Sequence, residues 1–134
     1  MIFKKTEIKE VIKFLKEKKY RIILLYGKIG CGKTTFVRNY LNNSEVTSPT
    51  FNICHQYDYL YGNVSENVFH FDLYRIEPSY EKLESINFFY AINNFLTFVE
   101  WSEKLDLNLI SHVKKDICKI VITEKLFKIN EEFI

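Results

Sequence analysis

Three of the four glycines in this sequence, Gly27, Gly30 and Gly32, fall within six residues. They belong to Gly27-Lys28-Ile29-Gly30-Cys31-Gly32-Lys33-Thr34, which fits G-x-x-x-x-G-K-[ST] at every fixed position. That spacing is the signature of a phosphate-binding loop. A triphosphate needs many donors and little steric bulk around it. Glycines let successive backbone N–H groups turn inward as an anion nest, and a helix starting just beyond adds its positive end. Lys28, Ile29, Gly30, Cys31 and Gly32 are expected to supply that backbone, Cys31 through its N–H rather than its thiol. Lys33 is expected to reach the β- and γ-phosphates and the Thr34 hydroxyl to ligate Mg²⁺. Thr35, one residue further on, is placed for the α-phosphate.

A phosphate loop alone does not hydrolyse a nucleotide. Acidic groups must stand near the metal, and a water must be oriented. In a parallel α/β sheet such groups sit at the carboxyl ends of strands beside the loop. Two acids have that pattern. Asp72 closes the apolar run Val68-Phe69-His70-Phe71, and Glu100 closes Phe95-Leu96-Thr97-Phe98-Val99. One is expected to hold the metal, directly or through water, and the other to orient the attacking water. The spacing leaves open which does which. Asp58, Glu66 and Asp106 lack a preceding apolar run. His70 alternates with Phe69 and Phe71 and reads as a structural histidine.

These residues must be carried by regular elements. Arg21 to Tyr26 is a short continuous apolar run, as expected of a strand buried on both faces. Before it, Ile8, Val11, Ile12 and Leu15 recur at helical spacing behind a Thr6 N-cap. After the loop, Phe36, Val37, Tyr40 and Leu41 predict a helix ended by Asn42-Asn43. Val46 to Phe51 reads as an extended loop broken by Pro49, and Phe51 to Tyr61 as a strand with a turn at Gly62-Asn63. A helix is predicted from Glu77-Pro78-Ser79, and a terminal hairpin from Ile117–Thr123 and Leu126–Phe133 around Glu124-Lys125. No repeat, linker or low-complexity stretch interrupts this order. The fold class expected is α/β, with residues 1–134 forming one domain.

Composition narrows the remaining classes. Of 134 residues, 47% are hydrophobic and 27% charged, which excludes a disordered chain. The net charge of +2 gives no field of the kind that marks a bulk nucleic-acid binder. Residues 1–19 do carry seven lysines against three glutamates, a pattern that reads first as a solvated helix face. No apolar run is long enough to span a membrane, and no signal-peptide pattern follows Met1, so a cytoplasmic protein is expected. Cys31, Cys54 and Cys118 are odd in number and widely spaced, and no C-x-x-C or H-x-x-x-H pair exists. A disulfide framework and a zinc site are therefore not expected.

Four motifs follow one another along the chain: the loop Gly27 to Thr35, then Thr47-Ser48-Pro49-Thr50-Phe51, His70-Phe71-Asp72-Leu73-Tyr74-Arg75, and Val99-Glu100-Trp101. In this order they resemble the TsaE (YjeE) family, small bacterial ATPases of tRNA threonylcarbamoyladenosine (t6A) synthesis. The resemblance covers about residues 6 to 123. It implies a P-loop NTPase fold, a mixed, mostly parallel sheet with helices on both faces. It implies ATP and Mg²⁺ as cofactors. It also implies TsaB and TsaD as partners, with tRNA engaged indirectly through that complex. By the same resemblance, Lys33 and Thr34 contact phosphate and Mg²⁺. Glu100 is the metal-associated acid and Asp72 the water-orienting or Walker-B-type one. Trp101 is needed for activity near the nucleotide, and Ser48, Pro49 and Thr50 form a switch-like loop facing the phosphates. The family loop commonly reads G-D-L-G-A-G-K-T. Lys28 and Cys31 replace its Asp and Ala, and Ser102 stands where a proline usually follows V-E-W.

Other users of such a loop fit less well. A small-molecule or nucleoside kinase usually clamps phosphates with several arginines. This chain has three in all, Arg21, Arg38 and Arg75. A regulatory GTPase reads guanine with N-K-x-D or T-K-x-D, and Val113-Lys114-Lys115-Asp116 lacks the leading residue. A vestigial nucleotide site is disfavoured because Lys33, Thr34, Asp72 and Glu100 are all present together.

Overall fold

The apolar run after Arg21 becomes the strand on which the rest of the sheet is assembled. The computed structural model describes residues 1–61 and 63–133. Its described strands are β1 (Ile2–Lys4), β2 (Ile22–Tyr26), β3 (Cys54–Tyr61), β4 (Val64–Asp72), β5 (Leu96–Glu100), β6 (Ile117–Ile122) and β7 (Leu126–Asn130). They lie in one sheet in the order β1-β7-β6-β2-β5-β4-β3. β2 is flanked by parallel β6 and β5, and β4 runs parallel to β5. β3, β7 and β1 add antiparallel strands at the two edges.

The continuous hydrophobicity of β2 follows from its two covered faces. Ile23 and Leu25 pack with Val11 and Leu15 of α1 (Ile8–Lys18) and with Phe36, Val37 and Tyr40 of α2 (Lys33–Leu41). Ile22 and Leu24 pack against the opposite layer. There Leu83 of α3 (Tyr80–Ser85), Phe88, Ala91 and Ile92 of α4 (Phe88–Asn94) and Ile110 close a second core. The sheet with helices on both faces matches the α/β expectation. No helix among the described residues is long and apolar enough to cross a membrane.

Several boundaries differ from the sequence reading, each for a local reason. α1 starts at Ile8 after a 3-10 turn over Lys5–Glu7, because the Glu7 carboxylate turns back to accept the Lys4 N–H at 2.9 Å. Thr6 therefore lies inside that turn and is not the cap. The strand expected from Phe51 begins only at Cys54. The Ile53 N–H bonds the Pro49 carbonyl at 2.6 Å, closing a turn that puts Ile53 at φ 68. The helix expected from Glu77 begins at Tyr80, where the Ser79 hydroxyl accepts the Lys82 N–H at 3.1 Å. Asn87, left-handed at φ 62, then splits the segment into α3 and α4. The last strand ends at Asn130 rather than Phe133. Leu107–Asp116 folds as 3-10 turns kinked at Ile110 and Val113. α2 does end at Asn42, left-handed at φ 49, as the Asn pair signals. Gly62 of the turn signal lies outside the described residues.

Phe98 of β5 is wholly buried, edge-on to Tyr40 at 5.0 Å between ring centroids. Phe98→Ala is expected to cost about 3–5 kcal/mol of folding stability, measured by urea unfolding. A loss below about 1 kcal/mol, typical of a surface position, would contradict this packing.

Candidate active site

The glycine loop connects β2 to α2, and its backbone takes conformations that side chains resist. Gly27 has φ 150, and a Cβ there would lie 2.5 Å from both the Cys31 Sγ and the Ile122 carbonyl oxygen. Gly32 stands at the head of α2 with φ 109, so that helix starts without a side-chain cap. The positive end of α2 is thereby left bare beside a cavity of about 290 Å³. Two residues distant in sequence brace the loop. Glu103 accepts the Gly27 N–H at 2.9 Å, and the Lys5 ammonium donates to the Cys31 carbonyl at 2.7 Å.

Lys33 is 5% exposed. Its ammonium folds back to donate to the carbonyls of Gly27 at 2.5 Å and Lys28 at 3.2 Å. Trp101 covers it, with the nitrogen 4.6 Å from the ring centroid. That indole packs in turn against Tyr74, ring centroids 4.8 Å apart and planes tilted by 44°. Trp101 is left-handed at φ 59, a costly backbone for a bulky residue, directly after the end of β5.

Strand register places the two acids side by side. Asp72 and Glu100 are direct partners at the ends of parallel β4 and β5. They are 1% and 3% exposed. Glu100 Oε2 accepts the Thr34 hydroxyl at 2.8 Å. A hydroxyl has one proton and two lone pairs. Donating the proton to Glu100 leaves the Thr34 lone pairs for a cation, so this pair fits a magnesium site. Asp72 is held differently. Its Oδ2 accepts the Thr50 hydroxyl at 2.6 Å and its Oδ1 the Tyr74 N–H at 2.8 Å. Ser48 bonds Thr50 at 2.7 Å, tying the segment around Pro49 to the strand end.

The structure thus gathers Ile29, Gly30, Gly32, Lys33, Thr34, Thr35, Thr50, Asp72, Glu100 and Trp101 around one cavity. Lys28 and Cys31 line a neighbouring hollow beside Val121 to Glu124. Sequence reasoning missed three contributors. Lys5 and Glu103 brace the loop from segments with no motif of their own. His70, read as structural, is wholly buried and places Nε2 2.5 Å from Glu100 Oε2. Its signal was available: His70 shares a strand face with Asp72, two residues away.

Comparison with known proteins agrees with this architecture. The sequence profile of the family described as "Threonylcarbamoyl adenosine biosynthesis protein TsaE" matches residues 3–130. The tRNA threonylcarbamoyladenosine biosynthesis protein TsaE of Rickettsia felis is 32% identical over 135 residues, 96% of this chain and 68% of that protein. The namesake of Rickettsia typhi is 38% identical over 87 residues, 61% of this chain and 57% of that protein. The chain thus spans little more than half the length of that relative. The crystal structure of Bacillus subtilis YdiB superposes with a TM-score of 0.54 at 19% identity, covering 95% of this chain and 82% of that one, which shows a shared fold. With its profile matched over nearly the whole length, the chain belongs to the TsaE family.

Proposed function

We propose that this chain binds ATP with Mg²⁺ at the Gly27–Thr34 loop and hydrolyses it, in support of t6A formation on tRNA by TsaB and TsaD. One observation carries the reading. The Thr34 hydroxyl, the Glu100 carboxylate and the Asp72 carboxylate converge on one cavity at the mouth of a glycine loop. Family membership supplies the pathway, and the partners follow from it: TsaB and TsaD directly, tRNA through their complex. The chain acts as a single domain over residues 1–134, in the cytoplasm.

The geometry suggests a role for each side chain. Backbone N–H groups from Lys28 to Gly32 and the head of α2, with Thr35, receive the phosphates. The Lys33 ammonium exchanges the Gly27 and Lys28 carbonyls for the β- and γ-phosphate oxygens. Trp101 keeps that ammonium in place and dry on one side. Bound magnesium supplies charge neutralisation across the phosphate oxygens. Thr34 would hold that ion, with Glu100 orienting the Thr34 hydroxyl toward it. Asp72, fixed by Thr50 and the Tyr74 N–H, orients the attacking water.

Lys33→Ala is expected to abolish ATP hydrolysis while circular dichroism stays that of the folded protein. Wild-type turnover in this variant would remove the loop from the reaction. Asp72→Ala and Glu100→Ala are each expected to lower the rate at least about a hundredfold. A change of less than about threefold in either would exclude that residue from the chemistry.

Thiol chemistry gives an independent test of where ATP binds. Burial pushes the Cys54 thiol up to about 11 and the Cys118 thiol up to about 12, so both stay protonated at neutral pH. Alkylation at pH 7.5, as a working condition, is expected to modify Cys31 first. MgATP is expected to slow it by ordering the loop that carries Cys31; equal labelling with and without nucleotide would show that this loop does not close around ATP.

The decisive experiment for the pathway is a multiple-turnover tRNA modification assay. It combines TsaB, TsaD, a threonylcarbamoyl donor and tRNA, with or without this chain and ATP. Modification past one round is expected only with the chain and ATP, and not with Lys33→Ala. ATP hydrolysis without any effect on modification would sink the partner assignment.

A further inference from the structure

We propose that His70 is a positioning residue for Glu100, fixing that carboxylate in the orientation that receives the Thr34 hydroxyl and so setting how firmly the site holds magnesium with its nucleotide. The inference rests on the nucleotide reading above.

Glu100 Oε2 is a shared acceptor, with Thr34 at 2.8 Å from α2 and His70 Nε2 at 2.5 Å from β4. A carboxylate only accepts, so the hydrogen on this contact belongs to Nε2. Without His70, a glutamate with three rotatable bonds is held at that oxygen by one hydroxyl, and that hydroxyl must itself face the cation. With His70 the carboxylate is anchored from the sheet. Thr34 then has a fixed acceptor for its proton and keeps its lone pairs toward the metal.

The rest of the ring argues that this contact is why a histidine stands here. His70 is wholly buried beside the Tyr57 ring, centroids 6.1 Å apart. Among the described residues its Nδ1 has no hydrogen-bond partner. A buried, unpartnered polar atom costs stability, and a leucine or phenylalanine at this position would avoid that cost. The gain lies at Nε2.

Two variants separate positioning from packing. His70→Leu removes the donor, and His70→Gln keeps an N–H donor of similar reach. The readouts are ATP affinity by calorimetry across a Mg²⁺ series and in EDTA, thermal melting, and ¹⁵N NMR of the imidazole in metal-free protein. His70→Leu is expected to raise the Mg²⁺ concentration for half-maximal enhancement of binding by at least about tenfold, with affinity in EDTA unchanged. His70→Gln is expected to return within about threefold of wild type. NMR is expected to show the Nε2–H tautomer, and Glu100→Gln to shift its resonances. A wild-type Mg²⁺ response in folded His70→Leu overturns the proposal. So does a folded His70→Gln that behaves no better than His70→Leu. If His70→Leu does not fold, the proposal stands or falls on His70→Gln and the tautomer: a weak Mg²⁺ response or an Nδ1–H ring overturns it. Wild-type protein that binds no ATP in any condition defeats the nucleotide reading instead.

Discussion

The parallel, in-register pairing of β2, β5 and β4 is the constraint on which the site depends. Leu24 lies opposite Val99, and Asp72 lies opposite Glu100, so the three strands end at one level. The glycine loop leaves from the end of β2 and returns as α2. A slip of one residue in β4 or β5 would turn its acid to the other face of the sheet. Burial on both faces makes such a slip costly. Phe98 and Ile23 face one core while Phe71 and Val99 face the other. The packing that stabilises the sheet therefore also aims the carboxylates.

The loop itself depends on contacts from outside its own sequence. Gly27 and Gly32 adopt their backbone conformations without a side chain, and inside the loop the Cys31 N–H donates to the Lys28 carbonyl at 3.1 Å, but the Gly27 N–H and the Cys31 carbonyl are held from outside it. Glu103 and Lys5 hold them from opposite sides, one on the Gly27 N–H and one on the Cys31 carbonyl. Lys33 closes the ring by bonding back to the first two loop carbonyls. A buried ammonium without an acceptor would be expensive. Here it has two carbonyls and an indole face. The left-handed Trp101 backbone costs on the order of 1–3 kcal/mol. It is offset by the contacts the indole makes with Lys33 and Tyr74.

How much of this was legible in the sequence follows from the range of each signal. The position of the glycine loop between β2 and α2 was legible, because its signature is set by spacing within eight residues. Asp72 and Glu100 were legible because an apolar run closed by an acid marks a strand end. Their adjacency was not, since it rests on register between strands 28 residues apart. His70 was placed on the right face, but its contact with Glu100 was not legible. Period-two reading shows which face a residue shares, not which side chain of the next strand it meets diagonally. Glu103 and Lys5 act across 76 and 26 residues and leave no local mark. β1 has three residues, too few for any periodicity, and exists because β7 offers it an edge.

Hydrogen-bond capacity bears on the question that spacing left open, which acid would serve the metal and which the water. A carboxylate has about four lone-pair sites, two on each oxygen. Glu100 Oε2 already receives the Thr34 hydroxyl and, on the proposed Nε2–H tautomer, His70 as a second donor. That oxygen is saturated and immobile, which suits a group whose task is to hold a metal ligand in orientation. Asp72 receives one side-chain donor on Oδ2 and one backbone N–H on Oδ1. Its direction is fixed at both oxygens, yet each keeps a lone pair. A group so arranged can take a proton from a water without first breaking a contact. Under the hydrolysis reading, the donors around each carboxylate therefore give Glu100 the metal and Asp72 the water. The Thr50 hydroxyl makes the second role sensitive to the segment around Pro49, because the donor that aims Asp72 is carried on that segment.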